Sequence, residues 1–131
     1  MAAMTGLDWF LGINGIAFLI VGLRAVFTPI ESVAEPLGLE VRSVDGRNYL
    51  RSGTGGVSTA GGIVLVAAMF IPKLQLPAVI LVVTMLGGLV AGRIYSLVVD
   101  GAPGAIPWVS GFFELLGFVF GVLWLIALWE L

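Results

Sequence analysis

Two residues of opposite charge, Arg93 and Glu114, lie inside long apolar stretches where charged side chains are rare. Arg93 precedes Asp100 by seven residues, and Glu114 follows Ile106 by eight. If the two stretches are consecutive antiparallel helices, the helical rise sets these charges about 10 and about 12 Å below the same loop. Ionisable groups at such depth in a membrane are costly and usually face a bundle interior or a wet cavity. We therefore expect Arg93 and Glu114 to meet at matching depth.

Other polar residues share faces with this pair or approach it. Spacings of three and four place Ser96 and Asp100 on the helix face of Arg93, because residues so spaced are neighbours on a helix. Two more arginines, near the ends of other apolar stretches, approach from the same side. The sequence thus predicts a polar cleft whose candidate ligand-binding residues are Arg51, Arg93, Glu114, Ser96, Asp100 and Arg24.

Two interpretations of these charges compete. In the first, which we favour, Arg93 and Glu114 form an ion pair that fixes helix packing, while Arg24 and Arg51 reach lipid phosphates. In the second, three arginines around one glutamate leave an excess of positive charge. Such an excess suits an anionic headgroup or a carboxylate, which arginine binds through two parallel hydrogen bonds. A role for Glu114 as an acid or base also stays open.

The residues missing from the chain exclude several kinds of chemistry. Histidine and cysteine are both absent. Their absence excludes disulfides, thiolate catalysis, histidine-ligated haem or zinc, and a Ser-His-Asp triad. The net charge is −2 and the six basic residues are scattered, whereas a nucleic-acid-binding protein clusters its basic residues on one face. We expect no metal, no cofactor and no nucleic-acid partner.

The composition indicates that the bilayer surrounds most of the chain. Hydrophobic residues make up 60% of the 131 residues and charged residues 11%, against roughly a quarter charged in soluble domains. Four apolar runs are each long enough to cross about 30 Å of hydrocarbon as a helix. They predict an all-α, transmembrane four-helix bundle in one domain, residues 1–131, with spans at about 7–27, 49–71, 76–99 and 106–131.

The first loop carries a helix-start signal and most of the positive charge. Thr28 and Glu31 flank Pro29 in a capping-box pattern, which predicts a short interfacial helix after the first span. Lys73 is the one basic residue of the second loop, whereas the first loop and its flanks carry Arg24, Arg42, Arg47 and Arg51. The positive-inside rule then predicts that loops one and three are cytoplasmic and that both termini lie outside.

Glycines at four-residue spacing predict where helices approach closely. Small residues four apart on a membrane helix let two backbones come together. Three such pairs lie in the third and fourth runs, one of them Gly87 with Ala91, and the second run has two further glycines on one face. The candidate packing residues are Gly55, Gly62, Gly88, Gly92, Gly117 and Gly121.

Three segments resemble a known family. They are YLRSGTGGVSTAGGIVL, AGRIYSLVVDGAPG and GFFELLGFVFGVLW, and the most specific part is Gly92, Arg93, Ser96, Asp100, Gly101 and Pro103. The chain is similar in these segments to an uncharacterised domain of unknown function, "four-three-four-five", which resembles the DoxX-like group. The resemblance implies a four-helix bundle in a bacterial inner membrane, and it implies no activity or cofactor.

Three functions are compatible with the sequence. The preferred one is a non-catalytic accessory or structural subunit of a membrane assembly, packing through glycine-rich helix faces. The alternative is a binding or carrier protein for an anionic amphiphile, lipid or quinone-like, in the Arg/Glu-lined cleft. An enzyme is the least favoured, because no nucleophile-base pair or metal-ligand set is visible. Expected partners are membrane lipids, other membrane subunits or a second copy of the chain.

Overall fold

The chain is helical along most of its length. A computed structural model describes residues 3–131, and within that range it contains helices and turns but no β-strand. Three helices are long and apolar enough to cross a membrane, Gly6–Phe27, Pro72–Val99 and Ala105–Trp129. They correspond to the first, third and fourth predicted spans, and their ends fall within a few residues of the predicted ones.

The first helix, α1 (Gly6–Phe27), begins with a capping box. The Thr5 hydroxyl accepts from the backbone N–H of Asp8 at 3.2 Å, and the Asp8 carboxylate accepts from the backbone N–H of Thr5 at 3.0 Å. Each side chain thereby satisfies a donor that the first helical turn leaves without a partner. The sequence prediction missed this box, although the Thr-x-x-Asp spacing is its signal.

The capping box predicted at Thr28 is wrong. The Thr28 hydroxyl donates to the carbonyl of Arg24 at 2.9 Å, so it closes the end of α1 instead of starting the next helix. A short π-helical turn, Ile30–Ala34, does follow, with no side-chain cap at its start. A helical segment therefore occupies the predicted place, and its position at the membrane interface stays a prediction.

The second apolar run is one uninterrupted helical path with a π-helical middle. Helix α2 (Val44–Tyr49) leads into a π segment, Leu50–Gly56, and this into α3 (Val57–Ala68). The junction residues Leu50 and Gly56 keep right-handed helical dihedrals. The path starts earlier and ends earlier than the predicted span of residues 49–71.

The chain divides into two compact units, Met1–Pro72 and Lys73–Leu131. In the first, α1 packs antiparallel against the π segment and α3. Glycines bring these backbones together: a Cβ added at Gly62 would lie 2.8 Å from the carbonyl oxygen of Gly15, and one at Gly55 would lie 2.8 Å from the backbone nitrogen of Val26. Real Cβ atoms do not come so close to backbone atoms, so this contact requires glycine.

The second unit is a helical hairpin. A 3-10 turn, Pro72–Leu74, precedes α4 (Gln75–Val99), and a turn containing Gly101 at a φ of +92° joins α4 to α5 (Ala105–Trp129). The buried side chains of α4 lie in its first half and are Ala78, Val79, Val82, Val83 and Leu86. The arrangement of all the helices as one four-helix bundle, and the single-domain organisation, stay predictions.

Candidate functional site

Arg93 and Glu114 form a two-pronged ion pair between α4 and α5. The Nε–H of Arg93 donates to Oε2 of Glu114 at 2.5 Å, and Nη2 donates to Oε1 at 2.8 Å. The side chains are 36% and 15% exposed, respectively. Two parallel charge-assisted hydrogen bonds fix orientation as well as distance. The structure thus confirms that these two charges meet, as their spacing from the loop predicted.

Gly111 makes room for this pair. It lies on α5 one helical turn before Glu114, and a Cβ added there would lie 3.2 Å from Cδ of Arg93. Because Gly111 has no side chain, the aliphatic stem of Arg93 can cross the surface of α5 to reach Glu114. The sequence prediction did not include Gly111. Its signal was a small residue three positions before the half-buried carboxylate of Glu114, on the same helix face.

Ser96 and Asp100 form a second polar contact on α4. The Ser96 hydroxyl donates to Oδ2 of Asp100 at 2.9 Å, across one turn of the helix. Asp100 is the C-terminal cap of α4, and its backbone N–H donates to the carbonyl of Ser96 at 2.7 Å. The contact joins two of the residues that the spacing had placed on one face.

A groove of about 710 Å³ runs between α4 and α5 beside the ion pair. Its lining is mostly apolar, with Arg93 and Ser96 as its polar members and Trp108 and Phe112 as aromatic ones. Gly88 and Gly92 form part of its wall, and a Cβ added at either would have open space around it. The volume lies within the range of small-molecule pockets, about 300 to 1,000 Å³.

Comparison with known proteins places this chain in a family. The model of a domain of unknown function, DUF4345, matches residues 6–125. The chain belongs to the DUF4345 family. The matched part includes both helices of the groove and the Arg93–Glu114 pair. No curated protein and no solved structure matches the chain.

Two of the arginines predicted for the cleft belong to the first unit of this DUF4345 protein. Nη1 of Arg51 donates to the carbonyl of Val26 and, at 3.5 Å, to that of Phe27. These carbonyls lie in the last turn of α1, which has no intrahelical partners for them. Arg51 therefore acts as a cap for α1. The side chain of Arg24 is exposed, and its backbone carbonyl accepts from Thr28.

The ligand roles of the predicted residues stay predictions. Four of them, Arg93, Ser96, Asp100 and Glu114, lie in the second unit, where Arg93 pairs with Glu114 and Ser96 with Asp100. No group of three or more acidic side chains that could hold a metal ion occurs among residues 3–131.

The predicted packing glycines have different surroundings. Gly55 and Gly62 lie where α1 touches the π segment and α3, whereas Gly88 and Gly92 of α4 line the groove, and a Cβ added at either would meet no atom within 4 Å. On α5, Gly121 is buried and Gly117 is half-buried. Packing at Gly88 and Gly92 stays a prediction. Close approaches that the sequence prediction missed occur at Gly12, Gly15 and Gly22, and Gly87, which its spacing from Ala91 had pointed to, packs against the ring of Phe118.

Proposed function

We propose that this DUF4345 protein is a non-catalytic integral membrane protein that binds an amphiphilic molecule in the groove between α4 and α5. The observation that carries the proposal is that one hairpin combines the open apolar groove with an arginine held in place by Glu114. Ligand sites typically combine a mainly apolar lining with a few polar groups that orient the ligand. Arg93 and Ser96 supply such groups here, and both line the groove.

Four spans are the topology we propose. Three helices are apolar and long enough by themselves, and the path from α2 through the π segment to α3 runs without a break from Val44 to Ala68. At roughly 1.5 Å per residue this path is long enough for the hydrocarbon core. Glycines inside it make close contact with α1, which supports a helix packed in the same membrane.

A non-catalytic role is supported by the state of Glu114. Both of its carboxylate oxygens accept hydrogen bonds from Arg93. A general acid or base must reach the reacting proton directly or through one water. A carboxylate engaged on both oxygens is poorly placed for that task, so Arg93 and Glu114 serve better as a fixed anchor.

Fluorescence quenching tests the proposed binding. A variant with Trp9, Trp124 and Trp129 replaced by phenylalanine keeps Trp108 of the groove lining as its one tryptophan. In detergent micelles, a monoacylglycerol with a brominated chain is expected to quench Trp108 along a saturable curve.

Two matched substitutions on α4 show where the quencher binds. Gly92→Leu fills the groove and is expected to weaken binding at least about tenfold. Ala91→Leu adds apolar bulk at the exposed neighbouring position, which does not line the groove, and should leave binding unchanged. Linear quenching that both variants share equally would show partition into micelles and would refute the proposal.

We also propose the orientation predicted from the basic residues, with loops one and three in the cytoplasm, and a location in an inner membrane. The chain has no cysteine, so a single introduced cysteine reports one position. A membrane-impermeant maleimide added outside intact cells should label Lys73→Cys in the second loop but not Arg42→Cys in the first. The reverse pattern would invert the topology.

A role as an accessory subunit is the second candidate. Of the 25 residues of α5, all within the described part of the chain, Gly121 alone is buried. A helix so uncovered contacts either lipid or another protein. A photo-crosslinker at Phe113, which is 63% exposed and outside the groove lining, should give one protein adduct of fixed mass if α5 contacts a subunit. Lipid adducts alone would exclude that contact.

A further inference from the structure

The hydrogen-bond donors of Arg93 are only partly used. A guanidinium carries five N–H donors in a planar fork and no acceptor. Glu114 receives one from Nε and one from Nη2. Within the described chain Arg93 makes no other hydrogen bond, so three N–H donors are left on a side chain that lines the groove. A ligand group that accepts hydrogen bonds would satisfy them.

The charge beside the groove is already balanced. Glu114 neutralises Arg93 by direct pairing, and within this unit Asp100 adds a second carboxylate, bonded to the groove residue Ser96. An anionic headgroup at Arg93 would approach the Glu114 carboxylate, or would have to displace it from its arginine. Removing the partner of a largely buried charge is unfavourable. Within the second unit, the charges therefore disfavour the anion that the sequence alone had suggested.

The remaining lining favours an apolar tail. Gly88 and Gly92 leave space along α4, and Phe112 and Leu115 border that space from α5. Ser96 uses its own hydrogen to donate to Asp100, so its oxygen is left as an acceptor for a ligand hydroxyl. The groove thus offers donors from Arg93, one acceptor from Ser96 and an apolar channel beside them.

We infer that the ligand of the groove is an uncharged amphiphile whose carbonyl oxygen accepts hydrogen bonds from Arg93 while its apolar chain lies along Gly88 and Gly92. This inference rests on the proposed binding function and names the ligand class. An ester of an acyl lipid and a ketone on an apolar chain share the required chemistry. Both present a neutral acceptor that leaves the Arg93–Glu114 pair intact.

The test compares four brominated ligands of equal chain length by quenching of Trp108. They are a monoacylglycerol ester, its ether analogue without a carbonyl, a ketone and a free fatty carboxylate. The ester and the ketone are each expected to bind about tenfold more tightly than the ether, since a hydrogen bond to a charged donor contributes about that factor. Whichever of these two carbonyl ligands binds more tightly shows whether the natural ligand is an acyl-lipid ester or a ketone. The carboxylate should bind more weakly than either.

Glu114→Gln removes the negative charge of this side chain and keeps its shape nearly constant. It leaves the positive charge of Arg93 uncompensated, so the preferred ligand should change from the ester to the carboxylate. If the wild-type protein prefers the carboxylate, or binds ester and ether equally, the inference is overturned although the proposed groove binding stands. If no ligand quenches saturably, the proposed function itself fails. Should the variant not fold, the four-ligand comparison on the wild type decides alone.

Discussion

In the first unit, glycines of α1, the π segment and α3 bring backbones into contact, whereas in the second unit two glycines of α4 border a groove. Across the first interface, a Cβ added at Gly62 would lie 2.8 Å from the carbonyl oxygen of Gly15, closer than real Cβ atoms come. Gly88 and Gly92 have the same four-residue spacing that is typical of close helix contacts, yet open space surrounds them. The glycines that touch in the first unit, such as Gly55 and Gly62, are seven residues apart, so four-residue spacing alone does not mark a close helix contact.

The two units also differ in how their helices are held together. The first relies on backbone proximity and on Arg51, which caps the end of α1. The second links α4 and α5 through Arg93 and Glu114, with Gly111 making room for the arginine stem. The two helices also touch at Gly87, where an added Cβ would lie 2.9 Å from the ring of Phe118, and the groove lies beside the ion pair.

The largest expected effect separates the two kinds of glycine directly. Gly62→Leu would force side-chain atoms into the backbone of α1 and should destabilise the fold by about 3 kcal/mol or more, since overpacking of this kind cannot be relieved by rotamer changes. Gly92→Leu has open space around it and should change stability by no more than about 1 kcal/mol. Thermal unfolding in detergent measures both.

If Gly92→Leu costs as much stability as Gly62→Leu, the proposed difference between the glycines of the two units is wrong. Ala91→Leu serves as the control for added apolar bulk on an exposed face of α4. It should change stability little, because alanine and leucine have similar helix propensities, and it should leave the quenching of Trp108 unchanged.

The ion pair should show a smaller, non-additive effect. Arg93→Ala and Glu114→Ala each leave one charge without its partner and should cost about 1 to 2 kcal/mol. This is less than the loss for a fully buried pair, because about a third of the Arg93 side chain is exposed. The double variant should be more stable than at least one of the singles. Additive losses in the three unfolding curves would show that the two side chains act independently.

Substitution of Arg51 tests whether this residue acts in the first unit alone. Arg51→Ala removes donors to two carbonyls at the end of α1 and should cost about 1 kcal/mol, a modest loss because the contact is solvent-exposed. Ligand binding at the groove should be unchanged. Weaker quenching of Trp108 with unchanged unfolding would instead assign Arg51 to the ligand, as the sequence had suggested.

The meeting of Arg93 with Glu114 was predictable because it depends on local quantities. Helical rise and a short connecting turn fix the depth of each residue, and antiparallel neighbours at equal depth come together. The three long apolar helices were predictable from hydropathy. In lipid no water can hydrogen-bond to the backbone, so a long apolar run forms a helix, which satisfies its own backbone groups.

Other features depend on tertiary contacts or on competition between local hydrogen bonds. Thr28 fits a capping box by spacing, but its hydroxyl bonds back to Arg24, a choice that sequence spacing does not decide. The role of Arg51 depends on which helix end lies beside it, and the role of Gly111 on the path of a side chain from another helix. The π segment also has no spacing signal in the sequence.

The smallest effect is expected at Gly111, a glycine of the second unit that is in close contact with a side chain of the neighbouring helix. A Cβ there would lie 3.2 Å from Cδ and 3.8 Å from Nε of Arg93, so the flexible arginine stem must move by a few tenths of an ångström. Alanine gains up to about 1 kcal/mol of helix propensity over glycine, and an off-rotamer arginine costs a similar amount. Gly111→Ala should therefore change stability by less than about 0.5 kcal/mol. Gly92→Ala, with nothing near its Cβ, should show the full gain, and equal gains in thermal unfolding would mean that Arg93 does not need the space at Gly111.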